Sequence, residues 1–309
     1  MSNKILSAET ILPVQSEPLF SSSVALSEGT IVDIGPRDTI RRKYADFSET
    51  DLGMGILLPG FINGHVHLEL GWIKNEIGNF NNFTQWLNQI INSKADEKVT
   101  DELIKQSVKD GISTLVKSGV TTVGEISSYG GLDKGLIKDS GLRAIIFEEL
   151  FDRHIDLIDE MEYVREGIIE NRPFPHAPYS CSPELLTKIF GLSVKSGTAM
   201  GIHLAESEDE KLFVKNEANN IEDHIYPLIK KDRYKRPVAD SPFDYIRKYD
   251  TGLKSRLTII HAVHVSDEEI DEINEKNIGV ILCPRSNQYL KVGTPPLAKL
   301  TELKGLGLA

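Results

Sequence analysis

The sequence predicts an α/β protein: a (β/α)8 TIM barrel preceded by a small N-terminal domain resembling a β-sandwich. Three observations carry that prediction. From residue 56 onward, apolar β-type runs alternate with amphipathic helical stretches, the pattern of parallel βαβ units. Seven such runs follow one another, and residues 305–309 read as the opening of an eighth, which is the strand count of a barrel. Before residue 56 the runs are short and separated by turn signals instead of helices. The chain therefore divides into a β domain at 1–56 and a barrel at 57–309.

In the first segment, residues 10–14 and 23–26 are β-type, with turns at Ser27-Glu28-Gly29 and Gly35-Pro36-Arg37-Asp38. In the second, strands are expected over 56–63, 120–127, 143–150, 174–180, 199–206, 257–265 and 279–286. Residues 101–118 carry Leu103, Ile104, Val108, Ile112, Leu115 and Val116 at helical spacing. Ser182-Pro183 joins a capping side chain to a first-turn proline. Ser266-Asp267-Glu268-Glu269 has the spacing of a capping box. The connection 211–256 is long and charged, with Lys230-Lys231-Asp232-Arg233-Tyr234-Lys235-Arg236, and is expected to be a solvated excursion or a lid on the barrel rim. An eighth strand that only begins at Gly305 would leave an unpaired barrel edge, so the expectation is an incomplete barrel from a longer polypeptide.

Composition excludes some classes. The net charge of −11, from 35 basic against 46 acidic residues, argues against nucleic acid as a partner, because phosphate recognition needs a basic surface. No apolar run approaches the length of a membrane span, and Met1-Ser2-Asn3-Lys4-Ile5 does not open a signal peptide. Two cysteines, Cys181 and Cys283, are too few for a disulfide framework. The expectation is a cytoplasmic protein that acts on a small molecule.

The histidines carry the chemistry. His65 and His67 are two apart on a strand and so face one side. Neutral imidazoles converging on one point are how many metal sites begin. Barrel active sites lie at the C-terminal ends of the strands. His65 and His67 end the first strand, His176 lies in the fourth, His203 in the fifth, and His261 and His264 in the sixth. His154 and His224 fall elsewhere and read as surface residues. Such a rim suits metal-assisted hydrolysis, which needs ligands, a position for water and a nearby acid or base. Glu206 is placed to shuttle protons. His264, three residues past His261, points differently on a strand and is expected to be structural. Cys283 reads as a small buried hydrophobe.

These residues stand in motifs. Leu58-Pro59-Gly60-Phe61-Ile62-Asn63-Gly64-His65-Val66-His67 resembles the first-strand signature of the metal-dependent amidohydrolase superfamily. The resemblance continues through Gly119-Val120-Thr121-Thr122-Val123, Pro175-His176-Ala177-Pro178-Tyr179-Ser180, His203-Leu204-Ala205-Glu206, Ile260-His261-Ala262-Val263-His264 and Cys283-Pro284-Arg285-Ser286-Asn287. It implies one divalent ion, zinc with iron as the alternative, on His65, His67 and His203. It also implies that Glu206 passes a proton to the substrate's ring nitrogen and then to the departing amine. His261 would hydrogen-bond the attacking hydroxide or the tetrahedral centre. The strand-eight aspartate that completes such sites would fall beyond Ala309.

Within the superfamily the chain is similar to the branch that deaminates adenine-type nucleosides and related heterocycles. Phe83-Thr84-Gln85-Trp86-Leu87 resembles the aromatic loop, here carrying Trp86, of adenosylhomocysteine and methylthioadenosine deaminases, and His176 matches a nucleoside contact there. The acidic residue that grips ribose in those enzymes has no counterpart where Asn92-Ser93-Lys94-Ala95 stands. Gly78-Asn79-Phe80, the stretch around Glu125 and the stretch around Asn287 are more similar to aminofutalosine deaminases of menaquinone biosynthesis. That resemblance makes Glu125 and Asn287 candidate substrate contacts and Arg143 and Arg285 candidate anchors for the substrate's benzoate. The expected activity is zinc-dependent hydrolysis of a 6-amino purine to the 6-oxo form, with aminofutalosine favoured. The alternatives are adenosylhomocysteine or methylthioadenosine deamination, guanine deamination, dechlorination, or an inactive barrel acting as a binding protein. Relatives of this kind are often homodimers.

Overall fold

The structure is a computed structural model and describes residues 3–161 and 163–309. The chain divides into two compact units, Met1–Phe61 and Ile62–Ala309. In the first, β1 (Lys4–Ile11), β2 (Leu19–Ser27) and β3 (Thr30–Pro36) form an antiparallel meander. Helix α1 (Arg37–Lys43) follows, and then β4 (Ser48–Asp51) and β5 (Ile56–Leu57) both add in parallel beside β1. Ile40 of α1 packs on Ile5 and Ala25, while Ala8, Ile11 and Val24 form a second buried group. The expected sandwich is thus, among the described residues, a single mixed sheet covered by a helix. Short β-type runs reveal strands but not how many sheets they join.

The second unit is a TIM-barrel-like α/β fold. Its strands are β6 (Phe61–Val66), β7 (Val120–Ser127), β8 (Arg143–Leu150), β10 (Ile169–Pro175), β11 (Ala199–Leu204), β12 (Arg256–His261), β13 (Gly279–Leu282) and β14 (Leu306–Leu308), with a two-residue β9 (Arg165–Glu166) folded back on β10. The ladders run β6-β7-β8-β10 and β11-β12-β13-β14. Across the first junction the His203 N–H donates to the His176 carbonyl (3.0 Å). At the second, a Cβ on Gly64 of β6 would lie 3.2 Å from the Leu308 carbonyl oxygen of β14. The connections carry helices α2 (Phe83–Lys94), α3 (Asp101–Lys117), α4 (Lys134–Ser140), α5 (Pro183–Ser196), α6 (Glu208–Val214), α7 (Pro242–Arg247), α8 (Asp267–Glu275), α9 (Pro284–Leu290) and α10 (Leu297–Leu300).

Inward side chains fill the barrel, as alternation along a strand requires. Ile126, Phe147, Phe174, Ile260 and Cys283 make its buried plug. Two phenylalanines fit only because Gly201 faces them: a Cβ there would stand 2.8 Å from the Phe174 ring. Outside, Val108 of α3 packs with Leu68, Val123 and Ile146. Helix starts follow the capping chemistry read from the sequence. Ser182 accepts from the Leu185 N–H, and Ser266 and Glu269 form a reciprocal capping box.

Several strand boundaries move. The fourth strand lies at Ile169–Pro175, not 174–180. Its Glu170-Asn171-Arg172 and its two prolines conceal a strand whose remaining groups pair with β8. The seventh ends at Leu282, and Pro284 opens α9 where a continuing strand was expected. The fifth and sixth stop at Leu204 and His261, so Glu206 and His264 lie on loops. No helix among the described residues is long and apolar enough to cross a membrane.

The connection 211–256 is solvated only in part: Lys230, Asp232, Arg233 and Lys235 are exposed, but much of the rest packs inward. Phe213, Ile221, Ile225, Tyr226, Phe243, Tyr245 and Ile246 are all buried in the main core. Within the basic run, Arg236 turns inward: its guanidinium lies 3.8 Å from the Phe213 ring centroid, donates to the Phe213 carbonyl, and pairs with Glu222 at 2.9 Å. The two side chains are 2% and 6% exposed. Removing one partner of a buried ion pair strands the other charge, so Arg236→Met should cost about 3 kcal/mol in urea unfolding. Adding Glu222→Gln should restore part of that loss; a single-variant loss under 1 kcal/mol would show that the pair is idle.

Candidate active site

Four imidazoles meet at the C-terminal ends of the strands. The His65 Nε2 and His203 Nε2 atoms lie 3.3 Å apart. Potential ligand atoms of His65, His203 and His261 all fall within 4.8 Å of one another. The His67 ring lies 4.9 Å from that of His65 and stacks on His203 at 5.5 Å between centroids. His67 therefore belongs to the cluster, but the tightest trio contains His261 in its place. A second group within the same limit joins His203 to His176 and Glu149.

Burial sets the charge state. Removal from water, with mutual repulsion between the imidazoles, holds His65 and His203 well below the ordinary histidine range. His67 is pushed down to about 4 by burial, against the pull of Glu149. His261 is also pushed down to about 4 by burial. All four are neutral at physiological pH and keep a lone pair. The His203 Nδ1 lies 3.0 Å from the His176 carbonyl. A carbonyl only accepts, so Nδ1 carries the proton and the His203 Nε2 lone pair faces His65.

Glu206 stands beside this cluster, its Oε1 3.3 Å from the His261 Nε2. Burial with no cation in contact pushes its carboxyl up to about 8. Glu206 therefore holds a proton at neutral pH. The neutral His261 is oriented by Asn287, whose Oδ1 lies 2.9 Å from the His261 Nδ1. That bond places the imidazole proton on Nδ1 and leaves the Nε2 lone pair toward Glu206. The contact is a neutral proton-sharing pair and not a salt bridge.

Backbone clamps hold these groups. Both carboxylate oxygens of Glu125 accept the N–H of Leu68, the residue after His67, at 3.0 and 3.1 Å. Glu69 answers across the same gap: its Oε2 accepts the N–H groups of Ser128 and Tyr129, just past β7, at 2.6 and 3.0 Å. Glu210, in the first turn of α6, accepts from the N–H groups of Ala205 and Glu206 at 3.0 and 2.9 Å. Ala205, His261 and Ala262 have φ of 57°, 82° and 48°, strained values for residues with a Cβ, of the kind that cluster at functional sites.

The remaining candidates sort themselves by position. His176 is at the site: its ring lies 5.0 Å from that of His203 and its Nδ1 2.7 Å from the Ser180 hydroxyl. Trp86 is half-buried on α2, with its ring 5.7 Å from that of Phe83. Glu125 is corrected from substrate contact to backbone clamp, since it is fully buried and engaged with Leu68. Asn287 likewise serves His261. Arg143 opens β8, at the strand end opposite the histidines and about 20 Å from them by strand rise, so it does not reach the site. Arg285 is exposed on the first turn of α9. His264 is structural, its Nε2 3.0 Å from the Val292 carbonyl. The Cys283 thiol is pushed up to about 12 by burial and is inert.

Sequence reading missed Glu149, Glu69, Glu210 and Lys94. Glu149 sits at the end of β8, 3.7 Å from the His176 Nε2, and accepts the Ser128 hydroxyl at 2.8 Å. Burial raises its carboxyl, but His176, Lys94 and His67 together carry it below the usual range. Period-two alternation from the inward Phe147 was the available signal for it.

The donor set fits a divalent metal. His65 and His67 each leave a buried Nδ1 with no hydrogen-bond partner in the structure, and their neighbours present neutral nitrogen lone pairs at one point. Converging neutral imidazoles suit zinc and other borderline transition ions.

The amidohydrolase family matches residues 56–307. A 5-methylthioadenosine/S-adenosylhomocysteine deaminase of Thermodesulfovibrio yellowstonii is 28% identical over 304 residues, covering 93% of this chain and 64% of that protein. A 5'-deoxyadenosine deaminase of Methanococcus aeolicus is 27% identical over 279 residues, 86% of this chain and 59% of its own length. The chain thus spans under two thirds of the length of either relative. Among solved structures, Helicobacter pylori aminofutalosine deaminase in complex with methylthio-coformycin superposes with a TM-score of 0.85 at 24% identity, covering 99% of this chain and 76% of that one. That likeness establishes the fold, and the family match over most of the chain establishes descent: this protein belongs to the amidohydrolase family.

Proposed function

We propose that this protein is a zinc-dependent hydrolytic deaminase of adenine-type nucleosides, converting a 6-amino purine and water to the 6-oxo purine and ammonia. The observation that carries the reading is the buried, protonated Glu206 held 3.3 Å from His261 beside the imidazole cluster. The relatives' names as nucleoside deaminases support the substrate class.

Zinc would be held by His65, His67 and His203, with His261 at hand in the tight trio. When bound, a divalent ion supplies Lewis-acid activation of water. The chain's own residues do the rest. Glu206 gives its proton to the ring nitrogen next to the carbon under attack, which makes that carbon electrophilic. Left ionised by that step, it takes up a proton from the attacking water and passes it to the departing amine, so that ammonia leaves neutral, and the proton shed as the 6-oxo group forms restores it. His261, locked by Asn287, keeps its Nε2 lone pair aimed at the reacting centre, where it accepts a hydrogen bond from the attacking water and orients it. The buried surroundings exclude bulk water and preserve the raised Glu206 proton affinity. Trp86 on α2 and His176 would bound the purine. Aminofutalosine is the favoured member of the class.

The reading is tested by following the ultraviolet change of adenine to hypoxanthine across aminofutalosine, adenosylhomocysteine, methylthioadenosine and adenosine. Glu206→Gln should retain zinc and lower kcat by about 10²–10⁴-fold. His203→Ala should lose both zinc and turnover. Zinc at full occupancy in the His203 variant would overturn the ligand assignment. Glu125→Ala should weaken zinc binding by about 10–100-fold, read in a chelator competition, because it frees the backbone that aims His67. Unchanged zinc affinity would reduce the clamp to ordinary packing.

A further inference from the structure

Between β10 and α5 the chain carries His176 through a turn in which Ala177, Tyr179 and Cys181 are buried. Pro178 and the first-turn Pro183 lack N–H groups, and the N–H groups of Ser180 and Cys181 both point to the Ala177 carbonyl. The next four carbonyls, Pro178 to Cys181, receive no backbone N–H among the described residues. Buried carbonyls of this kind need a donor from elsewhere. Three side chains of the long connection 211–256 supply it. The Tyr226 hydroxyl donates to the Tyr179 carbonyl at 2.8 Å, and the Lys231 ammonium to the Ser180 carbonyl at 2.8 Å. The Tyr234 hydroxyl lies 3.0 Å from the Cys181 carbonyl and 3.4 Å from that of Pro178. Lys231 also lies 5.6 Å from the Tyr226 ring centroid and 5.0 Å from that of Tyr234, and pairs with Asp152. Asp152 in turn accepts the Ser182 N–H at 2.6 Å, which holds the far end of the turn.

The turn hands this restraint to an imidazole. The Ser180 hydroxyl lies 2.7 Å from the His176 Nδ1, and the Tyr179 ring meets the His176 ring edge-on at 5.8 Å between centroids. The two residues that touch His176 are thus the two whose carbonyls take the shortest bonds from the connection. We propose that Tyr226, Lys231 and Tyr234 are positioning residues that hold the turn 177–181 and thereby fix where His176 meets a nucleoside. The inference rests on the adenine-nucleoside reading above, in which His176 bounds the purine. None of the three bonds to the imidazole itself among the described residues, so each acts through the backbone of the turn. Tyr245 supplies a matched comparison: it lies on the same connection, and its buried hydroxyl has no hydrogen-bond partner. Removing that hydroxyl takes the same atom from the same segment without depriving the turn of a donor.

The test follows the His176 ring resonances in zinc-loaded protein carrying isotope-labelled histidine, assigned by their loss in His176→Gln. Alongside, kcat and KM are measured with whichever of the four nucleosides above the wild type deaminates fastest. Tyr226→Phe, Tyr234→Phe and Lys231→Met should each displace the His176 resonances. Each should raise KM about 2–10-fold, the worth of one hydrogen bond, with kcat held within about twofold. Tyr245→Phe should do neither, and Lys231→Arg, which keeps a charged donor, should recover most of the loss in KM. His176 resonances unmoved in all three variants would overturn the proposal. So would an equal displacement in Tyr245→Phe, which would assign the effect to general loosening of the connection. Displaced resonances with KM unchanged would show that the turn does not set His176 against the substrate, and would overturn it too. Displaced resonances in a protein whose wild type deaminates none of the four nucleosides would keep the clamp on His176 and overturn the proposed reaction.

Discussion

Desolvation governs this site. His65, His67, His203 and His261 lie close together out of water at one end of a barrel, and proximity of that kind is tolerable only while none is protonated. The same dry environment raises Glu206, because no cation contacts its carboxyl. One physical cause therefore yields opposite functional states: bases stripped of protons and an acid that keeps one. Water entering the cluster would undo both at once. The Phe147–Phe174 plug beneath it, seated against Gly201, keeps the barrel interior closed from below.

Such a site must also be held in place, and here the holding is done through backbone. Glu125 and Glu69 cross-link the loops after β6 and β7, each carboxylate satisfying main-chain N–H groups of the other loop. Glu210 does the same for the turn that carries Glu206. Buried carboxylates that bind N–H groups satisfy donors that strand ends leave open, and they fix loop geometry more tightly than side-chain packing does. The strained φ of Ala205 persists because Glu210 holds the N–H groups of that turn, and that of Ala262 because its own N–H is held by the Leu204 carbonyl.

Much of this was legible in the sequence, and the physical reasons for what was not are specific. Period-two spacing identified His65 and His67, and the rule that barrel chemistry sits at strand ends gathered His176, His203 and His261. Strand β10 was displaced because Glu170-Asn171-Arg172 interrupts its apolar pattern, although every residue from Ile169 to Pro175 is in register with β8. Arg143 was misjudged because a motif gives a residue's neighbours in sequence but not which end of a strand it occupies. Glu125 was placed in the right region with the wrong role: a carboxyl near a site looks the same in sequence whether it faces substrate or grips backbone. The charged run at 230–236 read as solvated because charge predicts exposure on average. Arg236 instead uses its planar guanidinium to satisfy a carbonyl, a carboxylate and an aromatic face together.

The same contrast runs through the other inward cations. Arg236 is fully employed in stability, and Lys231 ties the long connection to Asp152 and Ser180. Both neutralise charge within the protein, so neither has capacity to spare for a ligand. Lys94 differs: it is half-buried with its ammonium 5.0 Å from the Tyr129 ring centroid and has no carboxylate partner among the described residues.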